Sequence, residues 1–152
     1  MKGLIQRVTR ADVQVDAEVV GAAQRGLLLL LGVEKDDDDA RMQRLVDKVL
    51  GYRVFPDESG RMNLSLLDIH GDLLVVPQFT LAADTRKGMR PSFSSSAPPE
   101  HAEALFLRFL ETARARATEQ EKGLRHVAGG VFGADMQVSL VNDGPVTFLL
   151  EV

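Results

Sequence analysis

The stretch Gly26-Leu27-Leu28-Leu29-Leu30-Leu31-Gly32-Val33, GLLLLLGV, is an uninterrupted apolar run punctuated by glycines. A strand with one face in water alternates apolar and polar residues, so an unbroken run reads as a central strand covered on both faces. Periodicity alone does not separate it from a buried helical segment. Five consecutive leucines need apolar cover on two sides, and the neighbouring sequence must supply it. Downstream, Asp36 to Asp39 offer a cap and favourable charge at a helix N-terminus. Met42, Leu45, Val46, Val49 and Leu50 then fall at the three-and-four spacing of one apolar helical face, which should pack on the sheet. Upstream, Leu4 to Val8 and Val13 to Val20 are short β-branched stretches, and Asp16-Ala17-Glu18 can turn the second into a hairpin.

Beyond the first helix, Phe55-Pro56-Asp57-Glu58-Ser59-Gly60 reads as a turn, followed by Arg61-Met62-Asn63-Leu64-Ser65 and a strand from Asp72 to Phe79. Residues 83 to 98 form a Pro- and Ser-rich loop. Pro98-Pro99 opens a second helix, with Ala102, Leu105, Phe106, Phe109 and Leu110 on one face, running to about Arg116. Two strands close the chain, Met136 to Val141 and Val146 to Val152, joined by Asn142-Asp143-Gly144-Pro145. The expectation is one α+β domain over residues 1–152, with mainly antiparallel strands and two packed helices.

Composition narrows the function. The chain has 152 residues, 45% of them hydrophobic and 26% charged, an ordinary globular balance with room for one sizeable core. No apolar run approaches the ~18 residues of a membrane helix, and the opening MKGLIQRVTR alternates in polarity where a secretory leader would be continuously apolar; the expected location is the cytoplasm, with no membrane partner. The absence of cysteine excludes disulfides, thiolate zinc sites and cysteine nucleophiles. A net charge of -4 argues against coating nucleic acid through a general basic surface, but not against gripping one end of it. Only Thr85-Arg86-Lys87-Gly88-Met89-Arg90 is locally basic, and such clusters are commonly plain solvated loop.

Conventional catalytic kits are missing. Asp36 to Asp39 lack the spaced oxygen ligands and closing glutamate of a calcium loop, so no metal is expected. His70, His101 and His126 have no Ser or Asp partner nearby in sequence, and there is no G-x-S-x-G elbow, phosphate loop or dinucleotide fingerprint, so no cofactor is expected either. One irregularity remains. Val75-Val76-Pro77-Gln78-Phe79-Thr80-Leu81 interrupts an apolar run with a glutamine and a threonine two residues apart, which on an extended chain share a face while Phe79 takes the other. Locally, this reads as a strand passing into a loop, and Gly144-Pro145 as a hairpin turn.

Together these segments resemble the D-aminoacyl-tRNA deacylase (DTD) family over essentially the whole chain. The resemblance is carried by Gln78-Phe79-Thr80-Leu81 within VVPQFTLAADTRKG, Arg90-Pro91-Ser92-Phe93 after it, Arg61-Met62-Asn63-Leu64-Ser65 before it, and VFGADMQVSLVNDGPVT from Val131 to Thr147. Any one tetrapeptide would be weak; several long motifs in the family's order are specific.

The resemblance implies a homodimer with a barrel-like fold. In it, a cis Gly144-Pro145 pair from one subunit enters the other's active site, and its carbonyls face the amino group of the bound aminoacyl moiety. An L side chain would then collide with main chain, whereas a D residue, or glycine, is accepted. It further implies that the strand end at Gln78, Phe79 and Thr80 presents backbone amides to the oxyanion of ester hydrolysis, with a substrate ribose hydroxyl helping to activate water. Thr80 would position the ester; as an unassisted hydroxyl it is a poor nucleophile. Arg7 is expected to brace the site, and Arg86, Lys87 and Arg90 to meet phosphates of the tRNA acceptor end. Pro77 departs from the family's usual serine, removing a hydroxyl and an N–H, and is a feature shared with related deacylases of relaxed chirality. Two other classes stay open: a non-catalytic dimeric module for RNA ends or peptides, and a small-molecule hydrolase of D-amino-acid esters.

Overall fold

The computed structural model describes residues 1–118 and 123–152. Its elements are β1 (Lys2–Val15), β2 (Glu18–Ala23), β3 (Gly26–Gly32), α1 (Asp39–Gly51), β4 (Phe55–Pro56), β5 (Met62–Leu64), β6 (Asp72–Pro77), a 3₁₀ turn (Phe79–Ala82), α2 (Pro99–Thr118), β7 (His126–Gly129) and β8 (Gln137–Glu151).

The leucine run is strand β3 and lies in the middle of the main sheet, whose order is β2-β1-β3-β6-β7 with β8 added to β1. Its alternation divides the core. Leu27, Leu29 and Leu31 pack with Leu45, Val46, Val49, Leu105, Phe106 and Phe109 of the two helices. Leu28 faces the other way, into a second cluster with Val8, Val13, Ala23, Leu74, Val76 and Ala128. An unbroken apolar strand is what two such layers require, and each fully buried leucine contributes about 1.5–3 kcal/mol. The sheet also curls back on itself: a Cβ on Gly21 of β2 would lie 2.8 Å from Gly129 O at the far end of the strand order. The result is a nearly closed barrel with both helices against one layer.

Antiparallel pairing prevails around β1, which pairs with β2, β3 and β8. The pairs β3–β6 and β6–β7 are parallel, which makes the sheet mixed. Each parallel pair is joined by a crossover containing one helix, α1 in the first and α2 in the second. Both helices carry the expected faces: Met42, Leu45, Val46, Val49 and Leu50 are buried in α1, and Ala102, Leu105, Phe106, Phe109 and Leu110 in α2. Asp38 is the N-cap of α1, accepting a hydrogen bond from Arg41 N at 2.8 Å. No helix of the described residues is long and apolar enough to cross a membrane.

Three local expectations change. Leu4 to Val8 and Val13 onward belong to one long strand, β1, and the hairpin turns at Asp16-Ala17, both at positive φ. The two closing strands are likewise one, β8, with no hairpin at Gly144-Pro145. Instead, Gln6 pairs with Thr147 and Val8 with Asn142, so Asp143 to Val146 bulge out opposite the single residue Arg7. Finally, the strand from Asp72 stops at Pro77 and gives way to the 3₁₀ turn.

Candidate active site

Pro77 is the last residue of β6, opposite Leu31 of β3. In a parallel ladder alternate residues bond to a given neighbour, and it is Gln78 N that donates to Leu31 O, at 2.8 Å. On the other side, β7 pairs only as far as Val75, so the ladder does not need the donor that proline lacks. A proline here therefore ends the strand without breaking it.

After Gln78 the backbone turns. Leu81 N donates to Gln78 O and Ala83 N to Thr80 O; among the described residues, no backbone hydrogen bond outside the regular elements uses the N–H of Phe79 or Thr80. The first amides of a helical turn have no partner within it. Two successive N–H groups are thus available at the strand end. Gln78 Nε2 donates to Thr80 Oγ1 at 2.5 Å, so the two polar side chains meet even though the chain between them is not extended. That bond fixes the threonine hydroxyl beside the amides.

A cleft of about 460 Å³ opens alongside. It is lined by Val76 to Phe79 at the strand end, by Ala97, Pro99 and Ala102 around the start of α2, and by Phe132, Met136 and Val138 before and in β8. The lining is mostly apolar, the character of a site that binds an organic group and excludes water. Thr80 adjoins the lining through Gln78. Neither His101 nor His70 lines the cleft: His101 Nε2 is 2.8 Å from Asp37 O, and His70 Nδ1 is 3.1 Å from Gly123 O.

Gly144, Pro145 and Arg7 form a separate group. The Gly144-Pro145 peptide bond is cis, and Gly144 has φ +133°. Arg7 reaches across the bulge: Nε donates to Asp143 O at 3.0 Å and lies 3.1 Å from Asp143 Oδ2, while Nη1 donates to Val54 O at 2.6 Å. Asn142 Oδ1 accepts from Val146 N at 2.9 Å, closing the bulge from its other end. None of Arg7, Gly144 and Pro145 lines the cleft beside Gln78.

Arg86, Lys87 and Arg90 stand on a loop whose foot is closed by two bonds between Asp84 and Ser92, at 2.8 and 3.0 Å. Arg86 is not a free cation. Its Nε and Nη2 donate to the two oxygens of Asp84 at 2.9 and 2.7 Å, and this pairing holds the Asp84 carboxyl well below the usual carboxylate range. The pattern of sequence charges did not disclose that partner, although the spacing of Asp84 and Arg86, two residues apart, permits it.

A family model described as D-Tyr-tRNA(Tyr) deacylase matches residues 4–151. The chain belongs to this family. Relatives named D-aminoacyl-tRNA deacylase include one from Stutzerimonas stutzeri (strain A1501), 64% identical over 151 residues and covering 99% of both chains. Another, from Escherichia coli O139:H28, is 57% identical over 152 residues, with full coverage of both. Among solved structures, one titled c-Myc DNA Unwinding Element Binding Protein superposes with a TM-score of 0.90 at 42% identity, over 100% of this chain and 99% of that one. A probable eukaryotic D-amino acid tRNA deacylase shares the fold with a TM-score of 0.82 at 19% identity, covering 99% and 98%.

Proposed function

We propose that the protein, as one catalytic domain over residues 1–152, hydrolyses the ester between a D-amino acid, or glycine, and the terminal ribose of tRNA, releasing free amino acid and tRNA. The observation that carries this reading is the pair of unused amides, Phe79 N–H and Thr80 N–H, at the mouth of an apolar cleft and within the family's own motif. Water adds to the ester carbonyl, and the resulting oxyanion is received by the two amides in a site poor in competing water. The carbon–oxygen bond to the ribose then breaks, and the ribose oxygen takes up a proton. Thr80, held by Gln78, orients the ester. A neighbouring ribose hydroxyl of the substrate helps activate the water, so the protein needs no titratable base there.

Chiral selection belongs to Gly144 and Pro145, with Arg7 bracing them, and we assign it to the partner subunit of a homodimer. Two observations support this. The bulge and the cleft are separate within one chain. Among the described residues, strand β8 also pairs only with β1, leaving a 15-residue strand with Val141, Phe148 and Leu149 exposed, an edge suited to a second copy. The cationic loop of Arg86, Lys87 and Arg90 faces phosphates of the acceptor end, where a phosphate competes with Asp84 for Arg86. Such an enzyme works in the cytoplasm, where tRNA is charged. Pro77 in the cleft wall favours a second reading, the same chemistry with relaxed chirality.

The test is a D-tyrosyl-tRNA whose terminal ribose lacks the 2′-hydroxyl beside a 3′-ester. It should bind with unchanged affinity and hydrolyse at least a hundredfold more slowly. Equal rates would transfer water activation to the protein, and binding without hydrolysis of the normal substrate would leave a binding module.

A further inference from the structure

Phe79 and Phe93 form an exposed aromatic pair, with ring centroids 5.2 Å apart and planes at 45°. They are 59% and 42% exposed. A single exposed aromatic residue needs no explanation, but two packed together at the rim of a cleft form a continuous apolar surface. Phe79 lines the cleft, and Phe93, outside the lining, packs against it.

The backbone around Phe93 is fixed. Ser92, directly before it, bonds through both its N–H and its C=O to Asp84 at the foot of the cationic loop, and Phe93 O accepts from Ser96 N at 3.0 Å. These bonds fix the backbone that carries the ring, and Phe79 packs against the ring itself, which lowers the entropic cost of using it as a contact. A tilted pair also leaves ring faces open. Lys87 and Arg90 lie on the loop that ends at Phe93, so the aromatic surface and the positive charge are parts of one segment.

Flat aromatic surface beside Lys and Arg is the combination that binds single-stranded nucleic acid: the cations follow the phosphates and the rings stack on bases. We propose that the Phe79–Phe93 pair is a stacking platform for the base of the nucleotide next to the esterified one, with Phe93 supplying the accessible face. This rests on the reading that the cleft takes the end of an aminoacyl-tRNA. The platform makes affinity depend on RNA beyond the terminal nucleoside, and stacking accepts any base because every base has a π-face.

The experiment uses the full-length protein and Phe93→Ala, Phe93→Tyr and Phe93→Trp variants on two substrates, D-tyrosyl-tRNA and D-tyrosyl-adenosine. Phe93→Ala should raise KM for the tRNA about tenfold, the effect of losing one base stack, leave kcat unchanged, and leave the adenosine ester unaffected; Tyr and Trp should restore KM. In parallel, an uncharged RNA with 2-aminopurine as its penultimate base should be quenched on binding to the native protein and not to Phe93→Ala. Equal loss on both substrates, no loss on either, or a change of oligomeric state in Phe93→Ala would overturn the platform. Failure of the native protein to release any amino acid would instead refute the deacylase reading, and the 2-aminopurine signal would still report on the stack.

Discussion

Arg7 is tied to Asp143 twice, through Nε to the main-chain oxygen at 3.0 Å and to Oδ2 at 3.1 Å, and its other arm bonds Val54 O at 2.6 Å. The guanidinium therefore spans from the β4 region to the bulge, and its planar fork, not its charge alone, sets where Gly144 and Pro145 stand. Replacing Arg7 by Lys keeps the charge and loses the fork. A charged hydrogen bond of this kind contributes about 1.5–3 kcal/mol. Arg7→Lys should lower thermal stability only modestly and reduce discrimination between D- and L-tyrosyl-tRNA at least tenfold, measured as the ratio of kcat/KM values. Unchanged discrimination would remove Arg7 from the selector.

Gly144 has little room for a side chain. A Cβ there would lie 2.7 Å from Val146 Cγ2 and 3.1 Å from Arg7 Nη2, and φ +133° is strained for any L residue with a side chain. The cost is of the order of 1–3 kcal/mol. Gly144→Ala should therefore shift the bulge and admit L-tyrosyl-tRNA more than it slows D-tyrosyl-tRNA. Parallel kinetics on both enantiomers check this; a fall in D-release with L-release still absent would point to a purely structural role.

The Asp84–Arg86 pair makes a prediction about salt. Because Arg86 holds the Asp84 carboxyl below its ordinary range, the pair is present throughout that range and is lost only as pH falls through the depressed value. From neutral pH down to the normal carboxylate range it stays intact, and the Asp84 carboxyl carbon should show no titration there by NMR. Lys87→Ala should reduce the slope of log K against log salt for tRNA binding by about 0.7–0.9. Asp84→Asn, which releases Arg86 to meet phosphate, should steepen it by a similar amount. A flatter slope in Asp84→Asn would mean that the pair orients the loop for binding.

Ala17 offers a test of the fold alone. Asp16 and Ala17 connect Val15 to Glu18 with φ of 50° and 65°, a two-residue turn that glycine adopts at no steric cost. Ala17→Gly should stabilise by up to about 1 kcal/mol, after the entropy that glycine adds to the unfolded chain. A Tm rise of about 2–4 °C would follow; a fall would mean that entropy outweighs the relief of strain.

Much of this was legible in the sequence. The leucine run required cover on two sides, and the helix faces named the residues that provide it. The 3.6-residue period of α1 and α2 is strong because a helix commits one stripe to the core over many turns. What periodicity does not carry is pairing direction: β3, α1 and β6, and then β6, α2 and β7, form crossovers whose parallel geometry follows from connection length. Strand β7 is only four residues, HVAG, too short to show alternation. Strand β8 looked like two because Asn142 to Pro145 has turn chemistry, and only its pairing with β1 across Arg7 makes it a bulge. At the site, extended geometry puts the side chains of Gln78 and Thr80 on one face, whereas it is the 3₁₀ turn that brings them into contact. The ion pair that occupies Arg86 and the exposed rings of Phe79 and Phe93 depend on side-chain placement, which no local pattern records.

The most direct test of the central claim is amino-acid release from D-tyrosyl-, L-tyrosyl- and glycyl-tRNA by the purified protein, in parallel and with a chelator present. The account predicts release of D-tyrosine and glycine at comparable rates and retention of L-tyrosine. Release of all three at similar rates would contradict chiral selection by Gly144 and Pro145, and release of none would contradict catalysis by the amides of Phe79 and Thr80.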